Sequence, residues 1–259
     1  MFFYFKNPVV ERQKHVVSFS GGKDSSAMLI RMVEEGMPID DIVFIKVMAT
    51  PTIGAELPEM YEYIDKMQDY IHRKITVVQS ILNFDDVFHS KHIEGSMEGQ
   101  IYGFPYLIGS WCNSRLKIKT ILHHQKQYGN HIQYIGIAAD EPERLARLKP
   151  NCRAPLADWG MTENDCISFL KERDMLNPLY KYHRRLGCWF CGKQNLDSLR
   201  FLRHNYPDYW NMLLQWDLES PSTFRPDCTV HDLERRFAAE DCQLSIFDNA
   251  VYNDFLKAA

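Results

Sequence analysis

The chain has no run approaching the roughly 20 apolar residues that a bilayer-spanning helix needs. Met1 to Lys14 lacks a cationic segment followed by a long apolar one, so no secretory leader is expected and a cytoplasmic location is the default. Charge of one sign is missing too: 30 Lys and Arg against 34 Asp and Glu leave a net charge of -4. That disfavours a protein that coats nucleic acid non-specifically, but it permits a local basic groove. Seven cysteines, odd in number and unevenly spaced, do not make a secreted disulfide framework. There is no internal repeat, no low-complexity tract and no G-x-x-x-x-G-K-[ST] loop. What remains is a 259-residue chain, 45% hydrophobic, able to bury a full core as one large domain or a main domain with a smaller appendage.

An apolar strand run, Val16 to Phe19, empties into Ser20-Gly21-Gly22-Lys23-Asp24-Ser25, and a helical pattern follows to Glu35, where Gly36 stops it. Two glycines let the backbone turn tightly and bring its N–H groups near an anion, while the helix adds its positive end. Lys23 supplies a mobile positive charge, and Asp24 can hold Mg2+ or order the loop. The competing reading is a plain strand-to-helix turn in which Ser20 is only an N-cap.

Further strands are expected at Asp41 to Met48, Lys74 to Val78 and His131 to Ala138, with helices at Pro58 to Tyr70 and Leu116 to Gln127. Such alternation argues for an α/β fold, a parallel sheet with helices on both faces. Asn83 to Ser110 loses periodicity and reads as a substrate loop or lid. Beyond residue 150 the pattern turns helical: a capping box at Thr162 and Asp165, a long helix from Leu196 to Leu214, and another from Thr229 to Ala239. The expected division is a nucleotide-binding α/β domain over 1–150 and a mainly helical subdomain over 151–259.

Cys188-Trp189-Phe190-Cys191 puts two thiols on one side of a turn, where both can bind one ion or cluster. Two ligands do not close a site. Cys166 and Cys242 read as core thiols, and Cys228 has no partner at motif spacing. Lys181, Arg184, Arg185, Lys193, Arg200 and Arg203 form a local basic excess, equally readable as a solvated face or as an RNA or phosphate surface.

Ser-Gly-Gly-Lys-Asp-Ser closely resembles the signature of the PP-loop family: ATP pyrophosphatases, tRNA sulfur-transfer enzymes and sulfonucleotide reductases, with a phosphoadenosine phosphosulfate reductase-like character here. The resemblance covers about residues 14 to 200 and implies the Rossmann-like, adenine nucleotide alpha hydrolase-like fold. It implies ATP and Mg2+ on a site formed by Ser18, Ser20, Gly21, Gly22, Lys23, Asp24 and Ser25, with Thr52 or Glu56 added from Thr52-Ile53-Gly54-Ala55-Glu56-Leu57-Pro58-Glu59. Gly136 to Arg144 resembles the family segment Gly-x-Arg-x-Asp-Glu-x-x-x-Arg, with Ala138 in place of the first Arg, so Lys23, Asp24, Asp140 and Arg144 are the expected catalytic residues. Arg153-Ala154-Pro155-Leu156-Ala157-Asp158-Trp159 resembles a joint between the sheet and the helical part.

Cys112 stands where iron–sulfur reductases of the family carry a cysteine pair, with Trp111 filling the other position. The resemblance therefore implies a metal set of Cys112, Cys188 and Cys191, with Cys152, a histidine, substrate or sulfide as the fourth ligand. The group implied is a [4Fe-4S] cluster with one open iron, with Zn2+ as the rival. The expected activity is ATP cleavage between the α and β phosphates, as pyrophosphatase or adenylating sulfur transfer. The alternatives are a phosphoadenylyl-sulfate or adenylyl-sulfate reductase and an idle nucleotide-binding scaffold subunit of a nucleic-acid-modifying complex. Against the reductase stands the absence of the C-terminal Glu-Cys-Gly segment: the chain runs Asp241-Cys242-Gln243-Leu244 instead. An RNA or DNA acceptor, a partner protein and a homo-oligomer are the expected associations.

Overall fold

The structure, a computed structural model, describes residues 12–106 and 108–242. The tail after Cys242, read for the missing Glu-Cys-Gly segment, and most of the stretch scanned for a leader lie outside them. Strand β1 (Lys14–Phe19) buries Val16, Val17 and Phe19, so its side chains are covered on both faces. Helix α1 (Lys23–Glu34) follows, then β2 (Asp41–Met48), α2 (Pro58–Ile71) and β3 (Thr76–Asn83). Five strands form one sheet in the order β3-β2-β1-β4-β5, and every pairing is parallel. Strand order reverses between β1 and β4 (His131–Ile135). Open parallel sheets receive ligands at such a reversal, outside the carboxyl ends of the strands.

Several elements depart from the sequence expectation for physical reasons. β3 runs to Asn83, not Val78; it is an edge strand, and Val77 (48% exposed) and Ile81 (59%) break the burial pattern that would have revealed it. Helix α3 (Phe84–His89), capped by the Asn83 side chain, opens the segment expected to be irregular and buries Phe84 and Phe88. The helix expected from Leu116 begins as a π-helical turn, Asn113–Ile118, and continues as α4 (Lys119–Gln125). β4 ends at Ile135, short of Ala138. After α5 (Pro142–Leu145), the two-residue β5 (Cys152–Arg153) is too short to leave a periodic trace, and it falls just past the boundary expected at 150.

The helical part comprises α6 (Pro155–Asp158), α7 (Glu163–Glu172), α8 (Leu196–Asn205), α9 (Pro207–Glu219) and α10, helical over 230–242. The capping box of Thr162 and Asp165 is present at the start of α7. The single helix expected over Leu196 to Leu214 is two, because Pro207 lacks the N–H and its ring blocks the preceding turn. Among the described residues no helix is long and apolar enough to cross a membrane. Phe84 lies 4.2 Å from Phe190, 5.1 Å from Trp111 and 5.0 Å from Trp216 between ring centres. This aromatic cluster fastens the helical part to the sheet directly beneath the cysteine turn.

Candidate functional site

Gly21 bends the chain with φ of +72°, and a Cβ there would stand 2.2 Å from Met60 Sδ, so both the backbone angle and the space call for glycine. Asn177 Nδ2 donates to Gly21 O at 3.1 Å, and Ser25 Oγ donates to Gly22 O at 3.0 Å, which hold the bend. Ser20 N donates to Ser25 Oγ at 3.2 Å. Gly22 has no side chain to cap α1, and of the amides at the helix start the Lys23 N–H is taken by the Tyr180 hydroxyl at 2.9 Å. Gly136 lets the end of β4 approach: a Cβ there would meet Ser25 N at 2.7 Å and Ser25 Cα at 2.8 Å.

Not every residue expected to bind nucleotide gathers at the bend. Ser18 Oγ accepts from Gln133 Nε2 at 2.7 Å across the β1–β4 pair. Thr52 sits in an exposed turn, with Thr50 Oγ1 accepting from the amides of Thr52 (3.4 Å) and Ile53 (3.1 Å). Glu56 is buried and accepts from Tyr61 O–H at 3.2 Å; burial pushes its carboxyl up to about 6, against the pull of Lys117. It belongs to the surroundings of the cysteines.

Lys23 Nζ lies 3.0 Å from both carboxylate oxygens of Asp24 and 3.0 Å from Glu163 Oε1. Burial opposes the charge of Lys23, but these two carboxylates outweigh it and raise the ammonium's pKa. Asp24 is pushed up by burial and by Glu163 and Glu141, with Lys23 opposing. Asp24, Glu141 and Glu163 each bring one carboxylate oxygen within 4.8 Å of the others, a trio able to hold a metal ion.

The trio differs from the acids expected. Asp140 accepts the Glu163 N–H at 3.1 Å and so anchors the start of α7. Arg144 Nη1 pairs with both oxygens of Glu141, at 2.5 and 2.8 Å, and Glu141 Oε2 accepts the Ala138 N–H at 3.1 Å. Asp140 and Arg144 thus position Glu163 and Glu141. Glu163 escaped the sequence reading because an acid in the first turn of a capped helix looks like ordinary helix-end charge. Tyr180 was missed as well: its hydroxyl accepts the Lys23 N–H at 2.9 Å.

Cys112, Cys188 and Cys191 line one cavity of about 240 Å3 together with Lys117. The turn that carries two of them is pinned by backbone: Trp189 N–H donates to Ala55 O at 2.8 Å and Trp189 Nε1 to Gly54 O at 2.9 Å. Burial pushes the Cys188 and Cys112 thiols up. The pKa of Lys117 is raised, chiefly by its closeness to Cys188, whose ionised form it would pair with, and against its own burial. Cys152 does not join them. It lies on β5, its thiol directed at Gln133 Oε1 and Asn151 Oδ1 (3.9 Å each), and it lines another cavity with Arg144. Cys166 is buried as expected, whereas Cys242 is exposed rather than a core thiol.

A parallel sheet whose order reverses beside a glycine bend at the start of a helix is the α/β fold of the PP-loop class. The chain belongs to the phosphoadenosine phosphosulfate reductase domain family, whose model matches residues 14–194. It is 29% identical over 208 residues to the uncharacterized nin region protein ORF290 of Escherichia phage lambda, covering 71% of this chain and 68% of that protein. It is 25% identical over 221 residues to the uncharacterized protein MJ0066 of Methanocaldococcus jannaschii, covering 80% of this chain but only 42% of that protein. Among solved structures, the phosphoadenylyl-sulfate reductase of Candida auris, in its phosphate complex, aligns with a TM-score of 0.48 at 13% identity, over 70% of this chain and 84% of that one.

Proposed function

We propose that the protein is an ATP-dependent PP-loop enzyme that adenylates an acceptor and then transfers sulfur to it at the cysteine centre. The observation that carries the reading is the Gly21–Gly22 bend at the start of α1, with Lys23 Nζ held 3.0 Å from Asp24 and Glu163 beside it. An acceptor oxygen attacks the α phosphorus of ATP, the α–β bridge breaks, and pyrophosphate leaves. The bend's N–H groups and Lys23 neutralise the charge that the departing phosphates gain. Asp24, Glu141 and Glu163 would hold Mg2+, which would add positive charge there. Lys23 Nζ bonds Asp24 and Glu163, and a bound phosphate would compete with those carboxylates for it.

The three thiols fit a cluster better than a single Zn2+. Thiolates about 2.3 Å from one ion would lie almost in contact with one another. Here they stand around a cavity of about 240 Å3, and among the described residues only the acidic trio packs its ligand atoms within 4.8 Å. A cluster would supply an iron to hold the sulfur in transit, and Lys117 would offset the negative charge of its thiolates. ATP–pyrophosphate exchange with RNA, DNA and small-molecule pools tests the reading. Exchange that depends on one pool and disappears in Lys23→Ala supports it; nucleotide affinity unchanged in the Lys23→Ala, Asp24→Ala double variant refutes it. The family match gives a second reading, reduction of an adenylyl sulfate, which requires thiol-dependent sulfite release that vanishes on replacing Cys242.

A further inference from the structure

We propose that residues 175–196 form a docking track for single-stranded nucleic acid, running from the phosphate loop to the cysteine turn. The proposal rests on the function above only in treating the bound strand as the acceptor. No Asp or Glu occurs between Asp174 and Asp197, while Lys181, Arg184, Arg185 and Lys193 do. All four cations are exposed, and none makes an ion pair or a hydrogen bond among the described residues. The other two members of the basic excess are spent within the fold: Arg200 on Glu240 and Asp197, Arg203 on Glu234 and Asp241. Packing has thus separated neutralised arginines on α8 from cations without a carboxylate partner on the segment before it, Lys181 resting over the Tyr182 ring.

Both ends of the segment are fixed to chemistry. At its start Asn177 bonds Gly21 O and Tyr180 receives the Lys23 N–H; near its end are Cys188 and Cys191. Lys181, Tyr182 and Arg184 line an open groove of about 820 Å3, and Arg185 and Lys193 line the cavity that holds the three cysteines. A linear polyanion can follow these charges from one site to the other; a small anion would leave most of them unused. Tyr182 stacks on Phe201 with ring centres 4.3 Å apart, carries the Lys181 ammonium 5.2 Å from its ring centre and remains 43% exposed, a platform that a base reaches by displacing that flexible lysine. Aromatic platforms beside a positive groove bind unpaired bases, which a duplex does not present.

The test is fluorescence anisotropy of labelled single-stranded RNA and DNA, measured without ATP from about 50 to 200 mM salt. Wild type should bind single strands, with RNA and DNA compared side by side, more tightly than a duplex of the same sequence. The triple variant Lys181→Ala, Arg184→Ala, Arg185→Ala should weaken binding and flatten the log–log salt slope by about 2, near 0.7 per lost contact. Tyr182→Ala should weaken binding about 5- to 150-fold at constant slope, the worth of one stacked base. Arg147→Ala, at an exposed cation lining a different cavity, should change neither. Nucleotide affinity and melting temperature, measured on every variant, report intact folding. Strand binding that follows this pattern without any ATP cleavage would leave the track standing and remove the adenylation reading. No binding, equal affinity for duplex, or indifference to both Tyr182→Ala and the triple variant would overturn the track.

Discussion

Gly136→Ala should damage both stability and nucleotide binding, through backbone that cannot step aside. The added Cβ would stand 2.7 Å from Ser25 N, 2.8 Å from Ser25 Cα and 2.9 Å from Asp24 C. Ordinary contacts begin near 3.4 Å, so β4 and the start of α1 must part by ~0.5 Å or more, with no side chain to absorb the change. Overpacking of this kind costs about 1–3 kcal/mol. The displacement also moves the amides proposed to receive phosphate relative to Glu141, and misplacement approaching 1 Å can cost about 100-fold in activity. Urea denaturation should show a lower midpoint at unchanged slope, and nucleotide affinity should fall about ten-fold or more. Gly160→Ala is the control: its φ of +67° makes the substitution strained, but nothing lies within 4 Å, so it should cost about 1–2 kcal/mol and leave nucleotide affinity intact. A Gly136→Ala protein with wild-type midpoint and affinity would refute the argument that this approach sets the loop.

Replacing Cys112, Cys188 or Cys191 singly with Ser should each abolish anaerobically bound iron and sulfide, whereas Cys152→Ser should retain them; equal loss from all four would show that Cys152 is a ligand after all. Glu163→Gln should raise the Mg2+ concentration needed for half-maximal pyrophosphate release several-fold while Asp140→Asn, which keeps an acceptor for the Glu163 N–H, leaves it unchanged; the reverse order would restore Asp140 as the metal-facing acid. Burial raises the Glu56 carboxyl to about 6 against an ordinary value of 4.5, so the folded state binds the extra proton. Stability is then fully present below about 4.5 and lost as pH rises through about 6, by roughly 2 kcal/mol in all. Glu56→Gln should flatten that slope and raise the urea midpoint at pH 7, and an unchanged profile would place the titration elsewhere.

Residues close together in sequence carried the parts of the site that could be read early. The bend at Gly21 and Gly22, the pair Cys188 and Cys191, and the start of α7 at Thr162 each depend on geometry within a few positions. Where a one-sided edge strand, a two-residue strand or a proline break governed the chain, as at β3, β5 and Pro207, periodicity had too little to register. Choosing among neighbouring acids was beyond the pattern too. Asp140 and Glu141 are adjacent, yet one bonds the α7 backbone and the other joins the carboxylate trio.

The order of residues alone settled a glycine bend between a buried strand and a helix, a parallel α/β sheet and a two-thiol turn, because backbone angle and burial period are local properties. Tertiary packing decided that Glu141 and Glu163 meet Asp24, that Cys152 stays on β5 away from the other thiols, and that Lys181 to Lys193 remain unneutralised while Arg200 and Arg203 do not. Ion pairing and ligand gathering act through space over a few ångströms, and only the folded arrangement of distant segments sets those distances.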